Sequence, residues 1–267
     1  MLYFDTLIHS GKNVNWPKKN NDINVINILK LIDESKYLYG AIVQDSPYFD
    51  QSPDYKYFVD IINKYNGSKR IFCCLSLPKF LNLEIYKDYI DDAMKLNVNI
   101  FKIHPRFIDL DQESLLKLLD YMVNKNLSIQ ICSYGYSRIG NQLFLCEDSF
   151  WEKFLKIVSN ARKNSIMLMH MGGTEILKIH NYIRHCDALI GDLSMTYLKY
   201  LGSSVSDDIG FILRNFDQRI CIGSDFPEYE PKQIVDQVKL DAEKFSIKED
   251  KLENFLIKNA LRFAENS

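Results

Sequence analysis

Arg219-Ile220-Cys221-Ile222-Gly223-Ser224-Asp225-Phe226-Pro227 is a short apolar run that ends abruptly in two small residues, one carboxylate and a proline. The apolar part predicts a buried β-strand, and Pro227 ends it because proline has no N–H to donate to a neighbouring strand. Enzymes with parallel sheets carry their catalytic groups at the carboxyl ends of buried strands. Asp225 is therefore the first candidate catalytic residue, and the ends of the earlier strands are where its partners are expected.

Seven more apolar, β-rich runs precede this one, and a segment with helical spacing follows each of them. The runs are continuously apolar rather than alternating, which is typical of a parallel sheet that is covered on both faces. Eight βα units in 267 residues predict a single (β/α)₈ TIM barrel over residues 1–267, with an extra C-terminal helix. A doubly wound open sheet is the alternative, although it normally has fewer strands at this length. The predicted strands are 2–8, 39–44, 70–75, 99–104, 128–132, 165–170, 187–192 and 219–222.

The composition is ordinary for a globular protein, with 46% hydrophobic and 25% charged residues. The net charge of −2 gives no reason to expect nucleic acid or an anionic membrane surface as a partner. No apolar run is long enough to span a bilayer, and the N-terminus does not resemble a signal peptide, so a cytoplasmic location is expected. The six cysteines form no CxxC pair, which predicts reduced, mostly structural thiols. The aromatic content would allow a homodimer interface.

Polar residues follow the predicted strands, and a barrel brings those strand ends together at one mouth. Three of the five histidines in the chain, His9, His104 and His170, lie at such exits. An isolated histidine is usually structural, but three at strand exits indicate a functional cluster. Lys102 lies at the exit of the fourth strand. We therefore predict Asp225, His170 and Lys102 as catalytic residues.

Three motifs follow strands four, six and eight in that order: Phe101-Lys102-Ile103-His104-Pro105, Met169-His170-Met171-Gly172-Gly173 and Gly223-Ser224-Asp225-Phe226-Pro227. Together they resemble signatures of the amidohydrolase superfamily, in particular its amidohydrolase-related (amidohydrolase 2 type) branch. The C-terminal segment Phe255-Leu256-Ile257-Lys258-Asn259-Ala260 is similar to the closing helix of that branch. The resemblance spans nearly the whole chain and implies a distorted (β/α)₈ barrel with a metal site at its mouth.

The resemblance also implies a cofactor, one divalent metal such as zinc or manganese. Such a metal is bound by histidines and an aspartate, and it lowers the pKa of its bound water. The ligands that carry over to this sequence are His9, His170 and Asp225, with Cys132 as a further candidate. Three protein ligands plus water would be a normal number for a catalytic zinc site.

Two positions depart from the family pattern. Leu7 stands where the first of two strand-one histidines is expected, and it cannot bind metal. Strand five carries Cys132, or Ser133 in a register one residue later, where the family has a histidine. Asp225 keeps a role as a base without metal, because burial raises the pKa of a carboxylate while nearby cations lower it. The direction of its shift is open at this point.

Residues on the loops after strands four and five are predicted to bind the substrate, namely His104, Arg106, Tyr134 and Arg138. Guanidinium groups bind carboxylates in bidentate fashion, so an anionic small-molecule substrate is expected. The leading function is hydrolysis of a small carboxylated lactone, ester or amide, with Asp225 activating water. A decarboxylase or other lyase on the same scaffold is one alternative. A non-catalytic, small-molecule-binding relative is another, and the two departures favour it.

Overall fold

The computed structural model describes residues 1–11, 23–45, 54–79, 82–105, 108, 110–134, 136–139, 142–145 and 148–265. These residues contain ten β-strands: β1 (Tyr3–Ser10), β2 (Leu38–Asp45), β3 (Arg70–Ser76), β4 (Ile100–Ile103), β5 (Ser128–Cys132), β6 (Tyr136–Ile139), β7 (Gln142–Leu145), β8 (Ile166–Met169), β9 (Leu189–Asp192) and β10 (Ile220–Cys221). Eight of them form one parallel sheet in the order β1-β2-β3-β4-β5-β8-β9-β10, while β6 and β7 form an antiparallel hairpin. Thr6 N donates to the Ile222 oxygen at 3.4 Å, and His9 N donates to the Phe226 oxygen at 2.9 Å. These two bonds join β1 to the segment that follows β10, so the sheet closes into a barrel.

Helices alternate with the strands of the barrel, as the sequence predicted. They are α1 (Val25–Glu34), α2 (Tyr55–Asn63), α3 (Leu83–Met94), α4 (Gln112–Asn124), α5 (Asp148–Val158), α6 (Ile176–His185), α7 (Thr196–Lys199), α8 (Ser204–Asn215), α9 (Pro231–Lys244), α10 (Glu249–Glu253) and α11 (Asn259–Glu265). One π-helical turn, Asn254–Lys258, joins α10 to α11. The predicted (β/α)₈ TIM barrel with additional C-terminal helix is confirmed. The β6–β7 hairpin and the single turn α7 were not predicted.

Two apolar cores hold the barrel together. The larger core lies between the sheet and the surrounding helices. The smaller core fills the barrel interior and consists of Phe4, Leu7, Ile42, Cys74, Ile100, Met167, Met169, Ile190, Cys221, Ala260, Phe263 and Ala264. The last three belong to α11, and the Phe263 oxygen accepts a hydrogen bond from Ser128 Oγ at the start of β5 (3.3 Å). Helix α11 therefore closes the barrel at the amino ends of the strands and leaves the carboxyl ends as the mouth.

Asn259 fastens α11 to the base of β10. Its side-chain amide donates to the backbone oxygens of Asp217 (2.6 Å) and Ile220 (2.7 Å). Its own oxygen accepts from Arg262 at 3.3 Å. Asn259 is 1% exposed, so water cannot replace it as a donor to the two carbonyl groups.

Asn259→Ala should lower the free energy of unfolding by about 2–4 kcal/mol, because two buried carbonyl groups lose their donor. Guanidinium-induced unfolding measures the change. Asn215→Ala is the matched control, since the exposed Asn215 also donates to a backbone oxygen, that of Phe211 (2.7 Å). Water can take over that bond, so the control should lose less than about 0.5 kcal/mol. Equal losses in the two variants would contradict the role given to Asn259.

Candidate active site

Asp225 lies in a tight turn directly after β10. A Cβ atom on Gly223 would lie 2.6 Å from Thr6 Oγ1, so glycine is needed for the chain to pass β1 here. Ser224 N then donates to Asp5 Oδ1 at 2.9 Å. Asp225 adopts the left-handed backbone region with φ 56°, a conformation that is uncommon outside glycine and concentrates at functional sites.

The carboxylate of Asp225 contacts the imidazole of His9 from β1. Asp225 Oδ1 lies 2.9 Å from His9 Nε2, and the two side chains are 13% and 5% exposed. Burial lowers the pKa of His9, in spite of the hydrogen bond to Asp225. Burial alone would raise the pKa of Asp225, but the hydrogen bond with His9 and the charges of His170 and Lys102 outweigh it and hold that pKa well below its usual range. We conclude that Asp225 is ionised and that neutral His9 donates its Nε2 proton to it.

Lys102 places an ammonium group inside the barrel mouth. Its side chain is 1% exposed, and Nζ donates to Gln44 Oε1 on β2 at 3.2 Å. Gln44 in turn donates to Ser76 Oγ on β3 at 2.7 Å, which fixes the amide orientation. Burial lowers the pKa of Lys102, and the neighbouring Cys132 and Asp225 oppose this shift. These interactions mean that Lys102 lies close to Cys132 and Asp225, two of the residues predicted for the site.

His170 begins an unusual turn at the end of β8. His170, Met171, Gly172 and Gly173 all have positive φ, at 65°, 43°, 72° and 64°. The Tyr134 ring packs directly against Gly173. A Cβ atom at position 173 would lie only 2.5 Å from Tyr134 Cε2, so a larger residue would not fit. The two glycines of the His-Met-Gly-Gly motif therefore allow a backbone that turns the histidine into the mouth.

Residues after β9 fix the His170 ring. Nδ1 lies 2.9 Å from the backbone oxygen of Ser194 and 3.1 Å from its Oγ. The buried carboxylate of Asp192 accepts hydrogen bonds from Ser194 Oγ and Thr6 Oγ1, and its Oδ1 lies 3.4 Å from His170 N. Thr196 Oγ1 donates to the His170 oxygen at 2.6 Å. Since a carbonyl oxygen only accepts, Nδ1 carries the proton, and Nε2 faces the other way.

Cys132 lies on the strand next to His170. It ends β5 and is in register with Met169, the residue before His170. Burial lowers the pKa of His170, but its interaction with Cys132 and the charge of Asp225 raise that pKa above its ordinary value. The structure thus brings together five predicted residues: His9, Lys102, Cys132, His170 and Asp225.

The predicted substrate-binding residues divide into two groups. His104 is buried directly after β4, and the Tyr134 ring lies edge-on to the His170 ring with 6.3 Å between centroids. Arg106 lies outside the described residues. Arg138 is part of β6, but its side chain lies outside what the structure describes. The roles of both arginines stay predictions.

Gln44 and the pair Lys199 and Tyr200 also lie at the mouth, and the sequence did not lead us to predict them. Gln44 orients Lys102. Its position near the end of a predicted strand was a signal that could have identified it. Lys199 donates to Tyr134 Oη at 2.9 Å, and the Tyr200 hydroxyl lies 2.5 Å from Tyr134 Oη. Lys199 and Tyr200 lie at the end of the single turn α7, which is too short to give a periodic signal in the sequence.

The residues do not fit the zinc or manganese ion that the family resemblance implies. Among the described residues, no group of three or more histidine, cysteine, aspartate or glutamate side chains is arranged to hold a metal. Two of the candidate ligands are already engaged: His9 Nε2 bonds to Asp225, and His170 Nδ1 bonds to the Ser194 oxygen. Leu7 takes the place of the expected imidazole in the interior core.

Within the part of the chain that the structure describes, none of the helices has both the length and the apolar character required to cross a bilayer.

Comparison with known proteins gives structural neighbours but no sequence relatives. No protein-family model and no curated protein matches the chain. An uncharacterized TIM-barrel protein from Bordetella bronchiseptica has a TM-score of 0.73 at 11% identity, with 100% of this chain and 99% of that chain covered. A triple mutant of the organophosphorus hydrolase from Deinococcus radiodurans has a TM-score of 0.62 at 10% identity, with coverages of 98% and 92%. A protein described as amidohydrolase II has a TM-score of 0.58 at 12% identity, with coverages of 98% and 99%.

These likenesses define the class of fold. At identities of 10–12% they show a shared (β/α)₈ barrel over essentially the full length of this chain. One neighbour carries the amidohydrolase name, and another is a hydrolase. The barrel implied by the motif resemblance is therefore confirmed by independent structures, while the reaction of this chain is a matter for proposal.

Asp5, on β1, accepts hydrogen bonds from the backbone next to Asp225. Its Oδ1 accepts from Leu7 N (3.1 Å) and Ser224 N (2.9 Å), and its Oδ2 accepts from the Tyr3 hydroxyl (2.8 Å). Burial raises the pKa of Asp5 from 3.8 to about 6, against these hydrogen bonds. The folded protein thus binds the Asp5 proton more tightly than the unfolded chain does. The stabilisation from protonation is complete below pH 4 and is lost as the pH rises through 6.

Asp5→Asn should remove this pH dependence, because the amide keeps the Oδ1 acceptor without a titrating group. A pKa of about 6 in the folded protein against 3.8 in the unfolded chain corresponds to about 3 kcal/mol over the whole titration. Since part of that titration lies below pH 4, the free energy of unfolding of the variant minus that of the wild type should rise by about 2 kcal/mol between pH 4 and pH 7. Urea unfolding at four pH values measures it. The exposed Asp250→Asn should show a difference constant within about 0.5 kcal/mol. A flat difference for Asp5→Asn would refute the assignment.

Proposed function

We propose that this chain is a hydrolase that adds water to the carbonyl group of a small, anionic lactone, ester or amide. The supporting observation is the convergence of an ionised carboxylate, Asp225, with the buried cationic group of Lys102 and with His170 at the mouth of the barrel. Hydrolysis of a carbonyl compound requires a base for water and positive groups for the developing oxyanion. The mouth supplies both from the ends of different strands.

Asp225 acts on the attacking water. One carboxylate oxygen is held by His9 at 2.9 Å, so the other can accept a hydrogen bond from water. The low pKa makes Asp225 a weak base in the resting site, because nearby positive charge stabilises the carboxylate. During attack, negative charge develops on the substrate oxygen and offsets that positive charge. The basicity of Asp225 therefore rises at the moment when the proton has to move.

Lys102 and His170 stabilise the oxyanion in this proposal. Lys102 is fixed by Gln44, and the His170 ring is fixed by Ser194, so both are preorganised. Preorganised donors in a site shielded from water contribute more than mobile ones on a surface. His104 and Tyr134, with Arg106 and Arg138 as predicted from the sequence, bind the rest of the substrate.

The amidohydrolase-like neighbours support a reaction of this type, and the organophosphorus hydrolase shows that a hydrolase is built on the same barrel. Because the donor set does not fit a metal, we assign the water-activating role to Asp225 itself. The small-molecule substrate, the cytoplasmic location and a homodimer remain predictions.

A panel of chromogenic esters, lactones and amides tests the proposal, each carboxylated compound being paired with a neutral analogue. The protein is assayed after dialysis against a chelator and again after zinc or manganese is added. We expect hydrolysis of at least one carboxylated compound, retained after chelation. Activity that appears only with added metal would contradict the assignment to Asp225 alone. Release of CO₂ without hydrolysis would favour a decarboxylase, and no turnover at all would favour a binding protein.

A further inference from the structure

We propose that Lys199, held by Tyr134 and Tyr200, binds the carboxylate of the substrate and makes the site selective for anionic compounds. The inference rests on the proposed hydrolase function and deepens it, because it assigns a particular cation to the charge that the substrate carries. Three features of these residues support it: the contacts of the ammonium group, the anchoring of the turn that carries it, and its lack of a carboxylate partner among the described residues.

The first feature is the set of contacts around the Lys199 ammonium group. Nζ donates to Tyr134 Oη at 2.9 Å, and it lies 4.8 Å from the centroid of the Tyr134 ring and 5.7 Å from that of Tyr200. The two tyrosine hydroxyls are 2.5 Å apart, which joins the side chains to each other. The ammonium group has three N–H donors and gives one to Tyr134. It therefore keeps a defined position and has further N–H groups with which it can bind an anion.

The second feature is the anchoring of α7, the turn that ends with Lys199. Thr196 Oγ1 donates to the His170 oxygen at 2.6 Å, which ties the start of the turn to the mouth of the barrel. Tyr197 is 2% exposed, and its ring packs on Phe255 with 6.0 Å between centroids. A cation on a backbone that is fixed in this way loses less conformational freedom when it binds a ligand than one on a mobile loop.

The third feature is a positive charge that no described carboxylate neutralises. Lys125, directly after α4, also lies over a tyrosine ring (Tyr121, 5.2 Å), but it pairs with Asp91 at 3.1 Å. The exposed Lys199 has the same kind of ring contact, yet among the described residues its nitrogen contacts only the two tyrosines. An anion from solution can therefore reach it, and hydrogen bonds between ammonium and carboxylate are about twice as strong as neutral ones.

The position of Lys199 indicates which part of the substrate it binds. Tyr134 follows β5, and its ring lies edge-on to His170 with 6.3 Å between centroids. The turn α7 follows β9, so Tyr134 and Lys199 both lie on loops at the carboxyl ends of barrel strands. Lys199 contacts Tyr134 rather than His170 or Asp225. The carboxylate that it binds is therefore a second group of the substrate, joined to the reacting carbonyl group by a spacer of several bonds.

Binding of glutarate tests the role of Lys199 without any turnover. Isothermal titration calorimetry on the intact protein compares glutarate with the neutral glutaramide. The wild type should bind glutarate at least about tenfold more tightly, and Lys199→Gln should lose at least about tenfold of that preference. Lys199→Arg should keep most of it, because a guanidinium group also binds carboxylates. Equal binding of the two compounds by the wild type, or a preference that survives in Lys199→Gln, refutes the proposal.

Lys125→Gln is the matched control for this measurement. It also removes a lysine that lies over a tyrosine ring, but one that already has a carboxylate partner. The preference for glutarate should stay within about twofold of the wild type in this variant. A loss as large as that in Lys199→Gln would mean that the net charge of the protein, and not a binding site at Lys199, sets the preference.

Kinetics separate this inference from the proposed function. The p-nitrophenyl monoester of glutaric acid is compared with its carboxamide counterpart, in which the remote carboxylate is replaced by a neutral amide. Lys199→Gln should reduce the ratio of the two kcat/KM values by at least about tenfold, mainly through KM for the anionic ester. Hydrolysis of both esters with an unchanged ratio in Lys199→Gln would refute the role of Lys199 and leave the hydrolase proposal standing. Glutarate binding that depends on Lys199, without hydrolysis of either ester, would do the reverse.

Discussion

Asp225→Asn is expected to reduce kcat/KM by about 10²–10⁴-fold while the barrel stays folded. Asparagine tolerates the left-handed φ of 56° that position 225 requires, and its oxygen can still accept the bond from His9 Nε2. The substitution therefore removes the charge and the basic oxygen with little change in shape. Steady-state kinetics on whichever compound the wild type hydrolyses measures the loss.

The same substitution has a predicted effect on stability. The folded protein holds Asp225 in its charged form, with a pKa below that of the unfolded chain, so the carboxylate stabilises the fold at neutral pH. That contribution is present above pH 4 and is lost only as the pH falls through the folded pKa. Asp225→Asn should thus be less stable than the wild type at pH 7, and the gap should narrow in acid.

Two comparisons make the result decisive. Asp236→Asn changes a partly exposed carboxylate on α9 and should leave kcat/KM within about twofold of the wild type. Circular dichroism of Asp225→Asn should match the wild type, which separates lost chemistry from lost fold. If the folded variant hydrolyses substrate at the wild-type rate, Asp225 is not the base.

The fold could be predicted from the sequence because it depends on burial. Each barrel strand is covered on both faces, so it appears as a continuous apolar run, and all eight predicted strands lie within two residues of the observed bounds. The β6–β7 hairpin was overlooked because each strand has four residues, too few for a periodic pattern. A hairpin signal was nevertheless present, since Gly140-Asn141 separates the two strands.

The candidate site could be predicted as a set of residues but not as a set of contacts. His9, Lys102, His170 and Asp225 were found because parallel strands place their carboxyl ends at one mouth. The partner of the His170 ring is the backbone oxygen of Ser194, and a backbone atom leaves no trace in residue identity. The family pattern predicted metal ligands because it specifies which positions carry histidine or aspartate. It does not specify the hydrogen bonds that those side chains form in this structure.

The direction of the Asp225 pKa shift shows the same limit. Burial and nearby cations act in opposite directions, and the sequence names both without giving their distances. In the structure the bond from His9 at 2.9 Å, with the charges of His170 and Lys102, prevails over burial. Only the folded geometry decides which effect is larger.

Lys102→Met is the second large expected effect, and its two consequences have opposite signs. Burial lowers the pKa of Lys102, so the ammonium group costs folding free energy at pH 7. A methionine at position 102 would have a side chain of similar length to lysine and would lie next to the apolar interior core of the barrel. The substitution also removes the hydrogen bond that Lys102 donates to Gln44. We expect the free energy of unfolding to stay within about 1 kcal/mol of the wild type or to rise by up to about 2 kcal/mol. Activity should nevertheless fall by about 10²–10³-fold, because the oxyanion loses its cation.

Guanidinium unfolding and steady-state kinetics on one preparation test both consequences together. The control is Lys117→Met, because Lys117 is a largely exposed residue of α4 that pairs with Glu113 at 2.7 Å. That variant should change stability by less than about 0.5 kcal/mol and leave turnover unaltered. A Lys102→Met protein with full activity would show that the buried cation does not contact the reacting oxygen. A loss of both activity and several kcal/mol of stability would instead make Lys102 a structural residue, since a group that only stabilises the transition state should not hold the fold together.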